Sequence, residues 1–411
     1  MQTFLQQQVL SEEKNTHMTH IEDQVLYGGV DGTRQAINAL RELRDMLQGQ
    51  HKGSVSVKWD GAPAIFAGTD PSDGKFFVAK KGIFNKNPKV YKTKADVDAD
   101  TSGDLNDKLN VALKLLPSLG IKGVIQGDFL FGPGDISKVK IAGESYITFH
   151  PNTIVYAIPS DSPEAKIVRQ ATIGIVWHTS YSGSSFETMK ASYGVNVSAL
   201  RKNKKVWSQD AMLRDLTNTT MSAAETKSVD NHLSNAGRIF RKISSTTLKE
   251  LGSNEKLGRL IEQYNNTFVR KGEQLPDSRK HAFRLQKWIE TKFKKEIDKR
   301  SSDAGKKKQR DAMDDMLSFF SRENLPSIIL MFDLQKEIVN AKLLLIRKLD
   351  TLSSINTFVK SNRGYKTTGE EGYVAIDKLS GNALKIVDRM EFSYNNFSPN
   401  ILKGWDKPSR N

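Results

Sequence analysis

Between Thr33 and Gln48 the apolar residues Ile37, Leu40, Leu43 and Leu47 recur three to four positions apart, and Gly49 follows. That spacing predicts an amphipathic helix over 33–48 with a glycine stop. A second helix is expected after Asp104, a capping side chain, with Leu105, Leu109, Ala112 and Leu116 inward and Pro117 at its end. The runs SVSVKW (54–59), PAIFAG (63–68), KFFVAKKG (75–82), GVIQGDFLF (123–131), NTIVYAI (152–158) and IGIVWHTSY (173–181) predict strands. GYVAID (372–377) and ALKIVD (383–388) predict two more.

The middle of the chain follows another period. Leu285, Trp288, Ile289, Phe293 and Ile297 recur at helical spacing, with Arg284, Lys287, Lys294 and Lys295 between them. Trp288 and Phe293 therefore belong to a core. Ile328, Met331, Leu334, Ile338, Leu345 and Leu349 mark a long helix opened by Pro326. The expected fold class is α+β: an antiparallel-sheet domain over 1–195 and 361–411, interrupted by an all-helical insertion over 196–360. A floppy joint is expected at Ser301–Lys308. Gly28–Gly32 reads as a turn before the first helix.

Length and composition narrow the function. The 411 residues, 37% hydrophobic and 27% charged, suit two or three domains. No secretory signal is expected, and runs such as Ser327–Phe332 and Leu343–Ile346 are too short to cross a bilayer. Cysteine is absent, which excludes disulfides, thiolate nucleophiles, cysteine-bound zinc and iron–sulfur clusters. A reducing compartment fits, so a cytoplasmic monomer (host cytoplasm for a viral chain) is expected. The net charge is +15, and it is unevenly spread: residues 201–360 hold 33 basic against 20 acidic side chains. That excess points to a polyanion, with Lys287, Lys294, Lys295, Lys306, Lys307 and Lys308 as candidate nucleic-acid contacts.

Several residues could carry chemistry. Lys58-Trp59-Asp60-Gly61 puts an amine at a strand end before a tight turn. Such a lysine, partly desolvated or set among cations, becomes a nucleophile. Lys80 and Lys81 end another strand, and Asp128 stands where a hydrophobic strand ends. Glu370 and Glu371 open a further strand, and Lys385 lies inside an apolar one, where it needs an anion. Together they suit the task of holding a nucleotide phosphate and a divalent metal while one lysine attacks. His17, His20, Glu22 and Asp23 lack a glutamate between the histidines, so capping or packing is the expected role over metal binding.

The order of these motifs resembles the covalent nucleotidyltransferase superfamily of ATP-dependent DNA and RNA ligases and capping enzymes. Lys58, Asp60 and Gly61 match its motif I (KxDG), and Glu371-Gly372-x-Val374 matches motif IV (EGxV). Lys80-Lys81-Gly82 is similar to motif Ia, Gly127-Asp128 to motif III, and Lys385 to the first lysine of motif V. Val176-Trp177-His178 resembles the aromatic strand of motif IIIa, with Tyr156 as the other candidate to stack on adenine, and His178 is expected to line the pocket. The HMTHIED and KWDGAPAIF blocks are similar to ligase-like proteins of large tailed phages.

The resemblance implies an antiparallel-sheet nucleotidyltransferase domain of ATP-grasp-like ligase type, using ATP and Mg²⁺. It makes Lys58 the nucleophile with Asp60 beside it. Gly61, Lys80, Lys81, Asp128, Tyr156, Trp177, Glu371 and Lys385 would bind nucleotide, and Asp128 and Glu371 would hold metal. The implied activity joins 3′-hydroxyl and 5′-phosphate ends of nicked or splinted DNA, with RNA strands accepted. A dedicated RNA ligase, a guanylyltransferase and a non-catalytic nucleic-acid-binding protein on the same fold stay open. Pro63 and Val387 replace an arginine and a lysine of the family pattern. Only 26 residues follow Lys385, too few for the oligonucleotide-binding barrel of most relatives, so the basic helices are the expected clamp.

Overall fold

Segments rich in valine, isoleucine and aromatic residues pair into three sheets in the computed structural model, which describes residues 18–49, 55–213, 221–352, 355–376 and 383–405. A 3₁₀ turn at Ile21–Asp23 leads into α1 (Gln24–Tyr27) and α2 (Gly29–Leu47), then β1 (Val55–Val57), β2 (Ala64–Thr69) and β3 (Phe76–Ala79). Helices α3 (Lys94–Asp100) and α4 (Gly103–Leu115) precede β4 (Val124–Phe131), β5 (Ser137–Ile141), β6 (Glu144–Phe149) and β7 (Ile154–Pro159). After α5 (Pro163–Gln170) come β8 (Ile173–Ser182), β9 (Lys190–Tyr193), β10 (Val206–Asp210) and β11 (Met212–Leu213). The helical run follows: α6 (Ala223–Phe240), α7 (Ser245–Ser253), α8 (Glu255–Lys271), α9 (Ser278–Asp298), α10 (Asp303–Ser318) and α11 (Leu325–Asp350). The chain closes with β12 (Asn356–Ser361), β13 (Gly364–Thr367), β14 (Tyr373–Ile376), β15 (Ala383–Ile386), α12 (Arg389–Phe397) and β16 (Ile401–Leu402).

The first sheet has the order β11–β1–β14–β15, all antiparallel, so β1 pairs with a strand that follows the whole helical run. The second has the order β10–β8–β4–β2–β3, with β9 also on β8; β10 and β8 are its one parallel pair. The third, β13–β12–β7–β6–β5 with β16 on β12, is antiparallel. The mixed α+β character is thus observed. Among the described residues no helix is long and apolar enough to cross a membrane.

Several local expectations need correction. The helices occupy Ala223–Asp350, narrower than 196–360, because Val206–Asp210 and Asn356–Ser361 find sheet partners. Ser301–Lys308 is no floppy joint: Ser302 caps α10, its Oγ accepting from the Gly305 amide at 3.1 Å, and Lys306–Lys308 are helical. Ser102, not Asp104, occupies the N-cap of α4, and Asp104 instead pairs with Lys108 at 2.9 Å. Gly29–Gly32 form the first turn of α2. A Cβ on Gly29 would lie 2.4 Å from the Leu248 carbonyl of α7, so the glycine permits that close crossing.

The cores do not divide as the sequence suggests. Leu40, Leu43 and Leu47 of α2 share one core with Leu285, Ile289, Phe332, Ile338 and Leu345 of the helical run. Val55 and Val57 of β1, Tyr373 of β14 and Leu384 and Ile386 of β15 belong to the same cluster. The first sheet therefore lays one apolar face on the helices. The second sheet encloses its own core around Ile65, Phe129, Ile175 and Trp177 with α4.

Candidate functional site

Lys58 leaves β1 at its end, where its amide donates to the Gly372 carbonyl at 2.8 Å. That bond continues the β1–β14 pairing and brings the residue before Gly372 alongside. Lys58 Nζ and Glu371 Oε2 are in direct ionic contact, with the glutamate nearly buried. Burial pushes the Glu371 carboxyl up to about 7, the Lys58 charge opposing and Asp60 and Asp128 adding repulsion.

Asp128 arrives from β4. It too is pushed up to about 7, by burial first, with Lys58 and Lys81 opposing and Asp60 reinforcing. Gly61 lets the loop after Lys58 lie on this strand: a Cβ there would stand 2.5 Å from the Asp128 Cβ. Lys385 on β15 sits opposite Val374 of β14. Burial and then the Lys58 charge push its ammonium below the ordinary lysine value, while Glu371 opposes. Glu371, Asp128 and Lys385, carried by three different strands or strand starts, thus come within electrostatic range of Lys58.

Asp60 has another task. Its carboxylate accepts from the Thr153 amide at 2.6 Å, the Ile154 amide at 2.8 Å and Asn152 Nδ2 at 2.6 Å, and it is 3% exposed. Its amide donates to the Tyr156 hydroxyl at 2.7 Å. Asp60 therefore ties the Lys58 loop to the start of β7, and its lone pairs are engaged.

The paired lysines separate. Lys80 reaches Asp100 at 3.3 Å, a carboxylate that also takes Lys89 and Tyr91, whereas exposed Lys81 is the one whose charge acts on Asp128. Neither aromatic expected to stack on a base has a free face. Trp177 is 0% exposed within the second-sheet core, and Tyr156 is 0% exposed against Phe149 and Trp59. His178 faces the site instead, Nε2 3.7 Å from Asp128 Oδ2. Burial, helped by the Lys58 charge, lowers it to about 4, so the ring is neutral near pH 7.

The segment around His20 supplies residues that sequence reasoning left outside the site. His20 bridges to Lys385, whose amide donates to the Thr19 carbonyl at 3.1 Å. His17 lies outside the described residues. Buried Glu22 accepts from Lys342 of α11 at 2.8 and 2.9 Å, and Arg389 binds Asp23 at 2.7 Å. One signal was readable: Lys342 interrupts the apolar stripe of Ile338, Leu345 and Ile346, and an ionisable group there needs a buried partner. Among the described residues no group of three or more His, Asp or Glu side chains could hold a metal by itself. Of the HMTH block, Met18, Thr19 and His20 are partly buried.

The basic candidates lie on the helical run. Lys287, Lys294 and Lys295 are exposed on α9, and Lys307 and Lys308 are exposed on α10, with Lys306 partly covered. Lys294 pairs with Glu290 and Lys307 with Asp311 at 2.9 Å; Lys287, Lys295, Lys306 and Lys308 make no ion pair among the described residues. Trp288 packs against Tyr264, its ring 5.4 Å away, as a core residue should.

A family model described as a family of unknown function (DUF6267) matches residues 15–401. The chain belongs to that family. The matched span takes in every residue of the site from His20 to Lys385. No curated protein matches the chain, and no solved structure does.

Two acids forced toward neutrality beside a lysine form a set that a divalent cation would suit. Mg²⁺ commonly takes one or two carboxylates and completes its shell with water and substrate phosphates. Asp128 and Glu371 fit that pattern.

Proposed function

We propose that the chain is an ATP-dependent polynucleotide ligase with a covalent nucleotidyltransferase fold, acting on nicked or splinted duplex DNA and accepting RNA strands. The observation that carries this reading is the convergence on Lys58 of Glu371, Asp128 and Lys385 from separate strands. The exposed cations on α9 and α10 support a polynucleotide as the second substrate.

The chemistry follows from the contacts. Lys58 must be neutral to attack, and Glu371, touching its ammonium and pushed up to about 7, is placed to take the proton. The freed amine forms a P–N bond to the α-phosphorus of ATP as the bond to the bridging oxygen breaks and pyrophosphate leaves. Lys385 and Lys81 oppose the negative charge that grows on the phosphate oxygens. Asp128 and Glu371 would hold Mg²⁺, whose charge would supply further neutralisation there. Lys58 then yields AMP to a 5′-phosphate end, and a 3′-hydroxyl displaces AMP to form the phosphodiester.

Incubation with α-labelled ATP tests the first step, and a panel of nicked DNA, RNA and hybrid duplexes tests the second. Lys58→Ala should lose acid-labile protein-bound AMP while keeping its fold. Lys58→Arg should lose it too, since a guanidinium stays protonated. Persistence of the label in either variant removes Lys58 from the chemistry.

A further inference from the structure

A second surface lies on the third sheet, between the β12–β13 hairpin and α12. A groove of about 300 Å³ is lined there by Arg363, Lys366, Tyr394, Ser361, Asn362 and Asn400, together with Val359 and Ile401. Lys366 Nζ lies over the Tyr394 ring, 5.8 Å from its centroid, and Tyr394 is 51% exposed. Phe397, one helical turn further along α12, is 67% exposed. No carboxylate lines the groove, and among the described residues neither Arg363 nor Lys366 makes an ion pair.

Two cations without an ion pair among the described residues, one of them over a half-exposed aromatic ring, make a distinctive ligand demand. The cations want an anion with several oxygens, the ring wants a flat partner, and the neutral amides of Asn362 and Asn400 can serve base edges. A duplex hides its bases inside the stack, whereas a single strand offers phosphate and base face together. We infer that this groove holds a nucleotide of single-stranded nucleic acid, its base on Tyr394 and its phosphate between Arg363 and Lys366. The inference goes beyond the ligase reading, which assigns the polynucleotide to the α9–α10 lysines and needs nothing from this surface.

The test is binding of a fluorescent single-stranded oligothymidylate to the full chain without ATP, titrated across salt. Tyr394→Ala should weaken binding by about 5- to 150-fold, and Tyr394→Phe should retain it. Arg363→Glu with Lys366→Glu should weaken it further and flatten the salt dependence by about 1.4 in log–log slope, two contacts at about 0.7 each. Lysyl-AMP formation with labelled ATP should be unchanged in all three, and circular dichroism checks the fold. No oligomer binding by the parent chain, or equal binding by parent and charge-reversed chains, overturns the inference. So does equal affinity for an abasic oligomer, which would leave phosphate recognition without a base. Loss of lysyl-AMP in the parent would refute the ligase reading while leaving the oligomer result to stand or fall by itself.

Discussion

Lys342→Met should be among the more damaging single changes in the molecule. Lys342 is 1% exposed and Glu22 4%, and the ammonium meets both carboxylate oxygens, at 2.8 and 2.9 Å. Burial alone would raise the Glu22 carboxyl; Lys342 first and Arg389 second reverse that and hold it down at about 2. Removing one partner of a buried pair typically costs about 3–5 kcal/mol, because the other charge stays desolvated. Arg389 remains 3.5 Å from Glu22 Oε1, which sets the expectation near the lower end, about 3 kcal/mol. The double variant Glu22→Leu/Lys342→Met leaves no stranded charge and should recover to within about 1 kcal/mol of the parent.

Urea unfolding at pH 7.5, followed by helical circular dichroism and tryptophan fluorescence, measures these differences. The pH dependence has a definite sign. In the parent, the depressed Glu22 pKa contributes stability that is full above the ordinary value of 4.5 and fades as pH falls toward 2. In Lys342→Met the carboxylate loses its main cation, its pKa rises, and protonation relieves the stranded charge. The gap between variant and parent should therefore narrow from pH 7.5 to pH 5. A loss under about 1 kcal/mol at pH 7.5, or a gap that widens on acidification, would refute the buried ion pair.

On the ligase reading Glu371 must be ionised to accept the Lys58 proton, and burial pushes it up to about 7 before any cation binds, so lysyl-AMP formation should fall away as pH drops below about 7. Glu371→Gln should lower the rate by about 10²- to 10⁴-fold and remove that limb. Trp177→Ala should cost about 3–5 kcal/mol of stability as a core truncation, measured by urea unfolding, while His178→Ala should spare stability and weaken ATP binding in a titration. Neutralising Lys294, Lys295, Lys306, Lys307 and Lys308 together should weaken binding to duplex regardless of sequence and flatten its salt slope. Lysyl-AMP formation should stay nearly unchanged in that variant, so an unaltered salt slope would place the duplex elsewhere.

The sequence was most legible where one physical signal acted alone. Pro326 and the stripe from Ile328 to Leu349 mark a helix that the structure runs from Leu325 to Asp350. Short runs of β-branched and aromatic residues located β1, β2, β4 and β8, and with them Lys58 and Asp128. The resemblance to motif IIIa put Trp177 in the pocket, and the structure buries it for an identifiable reason. On β8, Trp177 pairs with Gly127 and Thr179 with Gln126, so His178 is an extra residue in a bulge. A bulge exchanges the faces of a strand, and single-sequence alternation carries no mark of it. The His20 segment was opaque for another reason: the partners of Glu22 and Asp23, Lys342 and Arg389, are distant in sequence, and a carboxylate does not declare its cation.

The mixed core explains why the site belongs to the whole chain. β1 is an inner strand of a sheet in which β14 and β15 follow the whole helical run, and its Val55 and Val57 pack in the same cluster as Phe332, Ile338 and Leu345 of α11. α11 also carries Lys342, and through Glu22 it fixes the segment that bridges to Lys385. Lys58, Glu371 and Lys385 therefore keep their spacing only while the helices cover the first sheet. The basic helices α9 and α10 rest on that same core through Leu285, Ile289 and Met316.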